Sequence, residues 1–228
     1  MAKDRCIADF LFEQGFNTVG SERAARETLM ASGLTNSTKQ NMSCDKLPRA
    51  RKALASALFR ACDDPKCQVM ASLEAGTRRV VTVGMDGCEI CGGKKAWRSL
   101  AWAAQRLGML GISRVLVVGG TRAEHDEISR YACSRGWGRG CGVEFRFVDG
   151  TRPGRASEVA DAFMSWAHLV VIWANTPLKH TVSNTYTAVR RERGGGPGGK
   201  PGAERGRVVY ASHTGAAAML DQIVAKVA

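Results

Sequence analysis

The sequence predicts an α/β protein, with a five-stranded, mostly parallel, doubly wound sheet preceded by a small helical module. Two patterns support this fold class. From residue 80 onward, short runs of β-branched residues alternate with helix-length segments, which is typical of parallel strands joined by helices. Before residue 68, apolar residues follow a helical spacing, and Pro48 suits the first turn of a helix. The alternating part is therefore expected to adopt a Rossmann-like fold.

Residues 1–67 are predicted to form a basic helical module. Helices are expected up to about residue 31, then a short third helix, and a fourth over residues 49–61. Positive charge is spread along this module at Lys39, Lys46, Arg49, Arg51, Lys52 and Arg60. Such a module is similar to helix-turn-helix DNA binders, and it equally suits a helical bundle that only docks on the next domain. Residues 68–79 are interpreted as a linker.

Residues 80–228 carry the predicted sheet, in which each strand is followed by a polar turn and a helix. The predicted strands are 80–83, 112–118, 143–148, 169–173 and 207–211, and the helices are 94–107, 123–134, 157–166, 179–190 and 216–227. Residues 190–206 interrupt this pattern with glycine, proline and charge, so they are predicted to form a disordered basic loop. That loop is either a tolerated surface insertion or a contact for nucleic acid.

The overall charge and the cysteine count narrow the class of protein. The chain has 228 residues, eight cysteines and a formal net charge of +12. This charge favours nucleic acid or anionic small ligands as partners, although a solvated basic surface explains it too. The sequence has no apolar run of about 18 residues and no signal-peptide core, so we expect a cytoplasmic protein without a membrane partner. A disulfide framework is not expected in that compartment.

Polar residues and glycines follow the predicted strands, where a doubly wound sheet binds its ligands. Glycine lets a ligand approach the backbone, a helix N-terminus holds an anion, and arginine adds a forked donor. The predicted ligand-binding residues are Asp86, Gly119, Gly120, Thr121, Arg122, Asp149, Thr151, Asn175, His180 and His213. The G-x-G-x-x-G and Walker A motifs are both absent, so a standard dinucleotide or P-loop nucleotide site is not predicted.

The cysteines carry the most specific signal in the sequence. Cys62 and Cys67 form one close pair, and Cys88 and Cys91 form a second pair 20 residues further on. Two close pairs at such a separation are typical of structural zinc sites with four thiolate ligands, so we predict that these cysteines bind one structural Zn²⁺. A redox role for Cys88 and Cys91 is the alternative, because C-x-x-C at a strand–helix junction also occurs in redox sites.

The second half of the chain resembles a known family. Three of the matching segments are Val117-Val118-Gly119-Gly120, Val148-Asp149-Gly150 and Leu169-Val170-Val171-Ile172, and His180 follows them. Over about residues 114–223 the chain resembles the bacterial domain-of-unknown-function 2325 family. The resemblance implies a Rossmann-like fold for this half. The family has no established reaction, so the resemblance implies no activity.

These observations lead to a hypothesis about function. We expect a cytoplasmic binding or regulatory protein, in which the Rossmann-like domain senses an anionic small ligand or nucleotide. The basic helical module would contact nucleic acid or a protein partner. An enzyme acting on a nucleotide or phosphorylated metabolite is the first alternative, with His180, His213 and Asp149 supplying acid–base chemistry. A redox protein using Cys88 and Cys91 is the second. We assign no catalytic residue.

Overall fold

The structure is a computed structural model, and it describes residues 4–137, 142–149, 165–174 and 207–227. The chain divides into two compact units, Met1–Ala101 and Trp102–Ala228. Each unit is α/β in character, and each is described below by itself. The predicted disordered loop at 190–206 lies outside the described residues, as do the predicted helix 179–190 and most of the predicted helix 157–166.

Three helices and a small antiparallel ribbon begin the first unit. Their bounds are β1 Arg5–Cys6, α1 Ile7–Glu13, α2 Val19–Ala31, β2 Asn41–Met42 and α3 Leu47–Ala57. Helix α2 starts at a capping box, in which Thr18 and Ser21 each accept a hydrogen bond from the backbone N–H of the other. Helix α3 carries proline in its first turn. The buried sides of these helices meet in an apolar core that includes Ile7, Phe10, Leu11, Leu29 and Leu54.

A parallel strand–helix–strand unit follows. It consists of β3 Leu58–Ala61, α4 Pro65–Glu74 and β4 Arg79–Thr82. Strands β3 and β4 pair in parallel, with Phe59 opposite Val80 and Ala61 opposite Thr82. A 3₁₀ turn at Met85–Gly87 and helix α5, Lys95–Met109, come next, and the boundary between the two units falls within α5. This strand–helix–strand unit carries Cys62 and Cys67, and the turn that follows β4 carries Cys88 and Cys91.

Three sequence-based predictions for this region are wrong. Residues 58–61, predicted to end a helix, form β3, because pairing with β4 satisfies their backbone and buries Leu58 and Phe59. The predicted linker 68–79 is mostly helix α4, whose start is fixed by Asp64 as N-cap and Pro65. The predicted strand at 80–83 pairs with β3 and not with the second unit's strands. The first unit is thus not purely helical.

The second unit contains a four-stranded parallel sheet. Its elements are β5 Arg114–Gly119, α6 Arg122–Ser134, β6 Glu144–Val148, β7 Leu169–Trp173, β8 Arg207–Ala211 and α7 Ala216–Val227. The strand order is β6-β5-β7-β8, and every neighbouring pair is parallel. Strand β7 is buried along its whole length, as its continuous run of apolar residues predicts. This order fits a Rossmann-like sheet. The chain adds β6 on one side of β5 and β7 on the other side, so the topological switch point lies between β5 and β7.

The sheet of the second unit has four strands among the described residues, whereas the sequence predicted five. The difference is the strand at 80–83, which belongs to the first unit. The other four predicted strands are confirmed, and the apolar runs of β5 and β7 are the ones that the sheet buries almost completely. Across the described ranges of the chain, none of the helices has the length and apolar character that crossing a bilayer requires.

Candidate metal centre

The four cysteines of the two close pairs come together inside the first unit. The sulfur atoms of Cys62, Cys67, Cys88 and Cys91 all lie within 4.8 Å of one another. All four side chains are buried, with exposed fractions between 0% and 3%. The predicted juxtaposition of the two pairs is therefore confirmed, and these residues can hold a metal ion. All four are free cysteines.

The first pair is placed by the end of a strand and the start of a helix. Cys62 directly follows β3, and Cys67 lies in the first turn of α4. Asp64 begins this helix, because its Oδ1 accepts a hydrogen bond of 2.9 Å from the backbone N–H of Lys66. Gln68 of the same helix donates a side-chain hydrogen bond of 2.6 Å to the backbone oxygen of Cys62. The local fold thus turns both sulfurs toward one point.

The second pair is placed by a tight turn after β4. Cys88 follows the 3₁₀ turn, and the backbone N–H of Gly92 donates to the backbone oxygen of Cys88 at 2.9 Å. The N–H of Lys94 donates to the oxygen of Cys91, also at 2.9 Å. Gly92 and Gly93 have φ values of 50° and 78°, a backbone conformation that glycine adopts without steric cost. These two glycines let the chain reverse immediately after Cys91.

Burial and hydrogen bonds to sulfur shift the pKa values of these cysteines in opposite directions. Burial raises the pKa of Cys62 to about 11, while the backbone N–H of Asp64 donates to its sulfur and opposes this rise. Hydrogen bonds from Cys67 and Cys91, and then from the backbone N–H groups of Cys91 and Cys62, lower the pKa of Cys88. Contacts with the Cys88 and Cys91 sulfurs raise the pKa of Cys67.

An ion pair joins the two cysteine-bearing segments beside the sulfurs. Arg98, in the first turn of α5, donates from Nη1 to Oδ2 of Asp64 at 2.8 Å. Both side chains are largely buried, with exposed fractions of 18% and 24%. Burial disfavours the charge of Arg98, but a hydrogen bond to the Cys91 sulfur and the charge of Asp64 outweigh it and raise the pKa of Arg98. Arg98 therefore supplies positive charge next to the four cysteine sulfurs.

A second set of ion pairs holds the turn between Cys88 and Cys91. Glu89 lies in this turn, and its Oε1 accepts hydrogen bonds from the backbone N–H and the Nε of Arg60 at 3.2 and 3.1 Å. Its Oε2 accepts from Nη1 of Arg78 at 3.1 Å. The backbone N–H of Glu89 also donates to the oxygen of Arg60 at 2.9 Å. The turn is thus fastened to β3, the strand that leads to Cys62.

The sulfur spacing fits a tetrahedral thiolate shell. A tetrahedron with metal–sulfur bonds of about 2.3 Å has sulfurs about 3.8 Å apart. The sulfurs of Cys62 and Cys91 are 3.9 Å apart. A disulfide would need about 2.05 Å. Because four protein sulfurs fill a tetrahedron, no coordination position is left for water or substrate.

The other predicted site residues are distributed differently. Asp86 was predicted to follow a strand of the parallel sheet. It is exposed and lies in the first unit, so it follows no strand of the four-stranded sheet. Gly119, Gly120, Thr121, Arg122 and His213 lie at the carboxyl end of that sheet, and Asp149 follows β6. Thr151, Asn175 and His180 are outside the described residues. Their role in ligand binding stays a prediction.

The turn after β5 makes internal contacts. Oε2 of Glu124 accepts hydrogen bonds from the backbone N–H and the hydroxyl of Thr121, both at 2.8 Å. Nε2 of His125 donates to the oxygen of Gly119 at 2.7 Å, and the buried Trp173 donates from Nε1 to the oxygen of His213 at 2.8 Å. The carboxylate of Glu124 thus accepts hydrogen bonds from Thr121, a residue that was predicted to bind an anionic ligand.

The charged residues that surround the candidate metal centre were not identified from the sequence. Asp64, Glu89 and Arg98 were not singled out, because charged residues beside cysteines are common. One usable signal was Asp64 directly before Pro65, which marks the start of a helix. Comparison with protein-family models, curated proteins and solved structures found no match to this chain.

Proposed function

We propose that the centre binds one zinc ion with a structural role. The observation that carries this proposal is the set of four buried sulfurs within 4.8 Å of one another, with N–H donors to Cys62 and Cys88. Zinc favours four-coordinate thiolate sites, and a closed shell leaves no position for catalysis. The ion would connect the β3–α4 junction to the turn after β4. Metal binding would release protons, because the ligands must be thiolates.

The test of this proposal is the metal content of protein purified without added metal. We expect about one zinc per chain, measured by elemental analysis together with protein concentration. Iron at the same stoichiometry would contradict the assignment of zinc, since a tetrahedral shell of four thiolates also suits iron. Protein that is folded and holds no metal would contradict the structural role itself.

We further propose that the first unit is a zinc-stabilised module that binds nucleic acid. The supporting observation is helix α3, whose buried residues are Leu47, Ala50 and Leu54. Its exposed side carries Arg49, Arg51 and Lys52, and the helix contains no acidic residue. An exposed basic helix on a stable module provides contacts for phosphates, and the net charge of +12 agrees with a polyanionic partner.

Salt-titrated binding to a duplex and to a single strand of the same length tests this proposal. The double variant Arg49→Gln/Lys52→Gln should reduce the slope of log K against log salt by about 2 on duplex DNA, since each lost phosphate contact contributes about 0.9. The matched control is Arg23→Gln/Arg26→Gln on α2, which removes the same charge next to Glu22 and Glu27. No binding by the unmodified protein even at low salt would contradict the proposal.

For the second unit we propose the role expected from the sequence, sensing of an anionic small ligand or nucleotide in the cytoplasm. The parallel sheet and its switch between β5 and β7 support this role, because ligands of such sheets bind there. A relationship to the domain-of-unknown-function 2325 family is proposed on the same half. The enzyme alternative keeps His213 and Asp149 as described candidates for acid–base chemistry.

A further inference from the structure

A basic concave site lies in the first unit, beside the turn that carries Cys88 and Cys91. Its volume is about 120 Å³, and its charged lining residues are Arg51, Arg60, Arg78 and Glu89. They come from α3, from β3, from the residue directly before β4 and from the cysteine turn. Three guanidinium groups and one carboxylate leave two positive charges in this site. None of these residues is a predicted metal or small-ligand residue.

Two of the arginines are held in place. Each oxygen of the Glu89 carboxylate accepts a hydrogen bond from one of them, Oε1 from Arg60 and Oε2 from Arg78, both at 3.1 Å. Arg60 also donates from Nη1 to the backbone oxygen of Gln14. The guanidinium of Arg78 stacks over the Phe59 ring at 4.4 Å. The exposed fractions of the two side chains are 28% and 27%, so both have lost much of their hydration.

The two guanidiniums have more donors than the hydrogen bonds described above use within the described part of the chain. A guanidinium has five N–H donors. Arg60 uses two of its side-chain donors and Arg78 uses one in the bonds described above. Two guanidiniums that share one carboxylate keep a net positive charge, and a further anion at the same site would be attracted to it. A phosphate group suits this geometry, because its oxygens accept forked bonds from arginine.

We propose that this site, formed by Arg51, Arg60 and Arg78, binds a backbone phosphate of nucleic acid. The proposal rests on the nucleic-acid-binding function proposed above and names the site that gives it a fixed register. Arg51 belongs both to the site and to the exposed basic side of α3, so the two surfaces are continuous. Helix α3 would supply mobile, solvated charges, whereas Arg60 and Arg78 would supply positioned donors. Fixed donors of this kind orient a protein on its nucleic acid.

The experiment compares two neighbouring arginines in the full chain with its metal bound. Arg78→Gln removes a charge from the site, and Arg79→Gln removes the same charge from an exposed side chain paired with Glu27. Binding of a duplex and of a single strand is measured over a range of salt concentrations for both variants. Arg78→Gln should weaken binding about tenfold, the size of one charge-assisted hydrogen bond, and lower the salt slope on duplex DNA by about 0.9. Arg79→Gln should change neither by more than a small amount.

Arg51→Gln is the second variant, because Arg51 is exposed and its replacement leaves the Glu89 ion pairs in place. It should lower the salt slope by a similar amount without changing the melting temperature. Equal binding by the Arg78 and Arg79 variants would overturn the proposed site and leave the nucleic-acid function standing.

Inorganic pyrophosphate is titrated into the unmodified protein and the Arg78→Gln variant. This titration distinguishes a nucleic-acid ligand from a small phosphorylated ligand. If the unmodified protein binds pyrophosphate but neither duplex nor single strand, the site serves a small phosphorylated ligand. That result would overturn both the backbone-phosphate site and the nucleic-acid function. Competition by pyrophosphate against bound nucleic acid, lost in Arg78→Gln, would support the site.

Discussion

At the scale of single residues, the four sulfurs of the centre lie close together, so the loss of one affects the other three. Cys67 is fully buried, and its sulfur contacts those of Cys88 and Cys91. Removing one sulfur leaves three buried thiols around an incomplete shell. The remaining ligands would have to recruit water into a site that is closed to solvent. Each cysteine is therefore expected to be necessary for metal retention.

The variant Cys67→Ala tests this expectation. It should purify with much less than one zinc per chain and unfold more than about 10 °C lower than the unmodified protein, because the metal contributes folding free energy. The control is Cys133→Ala, which removes an exposed cysteine of the second unit. Elemental analysis and thermal unfolding measure both effects. A Cys67→Ala protein with full zinc content would contradict the proposed ligand set.

Glu89 offers a second test at this scale. Glu89→Gln leaves Arg60 and Arg78 close together without the carboxylate that joins them, and all three side chains are more than two-thirds buried. We expect a loss of about 1–3 kcal/mol in the free energy of unfolding, measured with urea. Glu27→Gln removes the same charge from an exposed pair with Arg79 and should cost less than about 0.5 kcal/mol. Equal costs would show that the Glu89 bridge is not structural.

At the scale of elements, the turn before Cys88 is fitted closely to the turn after α1. A Cβ atom on Gly87 would overlap the backbone oxygen of Gly15. Asn17 accepts a hydrogen bond of 2.6 Å from the backbone N–H of Gly84, and Thr18 donates one of 2.7 Å to the oxygen of Thr82. The segment that presents Cys88 is thus positioned by the helical part of the first unit.

Gly87→Ala is the corresponding prediction. The added methyl group must push the two turns apart, so we expect a loss of about 1–3 kcal/mol and weaker retention of zinc in a chelator competition. Gly20→Ala is the matched control, because a Cβ at that position of α2 meets no atom within 4 Å. Alanine is favoured over glycine in a helix, so this control should be neutral or stabilising by roughly 0.5 kcal/mol. Similar behaviour of the two variants would argue against the close fit.

The elements also show how far the sequence predicts this fold. Strands such as β5 and β7 are apolar along their length, so local pattern alone identifies them. Strand β3 is different, because Leu58-Phe59-Arg60-Ala61 continues a helical pattern and becomes a strand only through pairing with β4. That pairing joins residues about 20 positions apart, and a local pattern does not encode it. The strand predicted at 80–83 was consequently assigned to the second unit's sheet, although it pairs with β3.

The candidate site also has a part that the sequence predicts and a part that it does not. The two cysteine pairs were predictable, because the spacing within each pair is a local property that metal sites share. The pairings of Glu89 with Arg60 and Arg78 were not predictable, since Arg60 lies in β3 and Arg78 directly before β4, both away from the cysteine turn. The capping box of Thr121 and Glu124 could have been noticed, because threonine followed three residues later by glutamate marks a helix start. Its presence argues for a structural use of Thr121.

At the scale of the whole molecule, the four-cysteine centre and the parallel sheet belong to different compact units. All four cysteines lie in Met1–Ala101, and all four strands of the parallel sheet lie in Trp102–Ala228. The second unit has an apolar core of its own, built on the buried strands β5 and β7 and on helix α7. Loss of the metal should consequently affect the two units unequally.

Hydrogen exchange with and without a zinc chelator measures this difference. After chelation, the amides of β3 and β4 should lose most of their protection, because the structure that joins them to the cysteine turn is released. The amides of β5 and β7 should remain protected. Readdition of zinc should restore protection in the first unit. Simultaneous loss of protection in both units would contradict their independence.

The position of the cysteines along the chain has a consequence for biosynthesis. The last of the four, Cys91, is followed by 137 further residues of the chain. Ribosomes add about 5–20 residues per second, so translation of that remainder takes on the order of 10 s. If the centre binds zinc as proposed, the first unit can load this ion and fold while the parallel sheet is still being made. A nascent chain starved of zinc would instead expose the apolar surfaces of β3 and α4 during that interval, when chaperones and proteases compete for it.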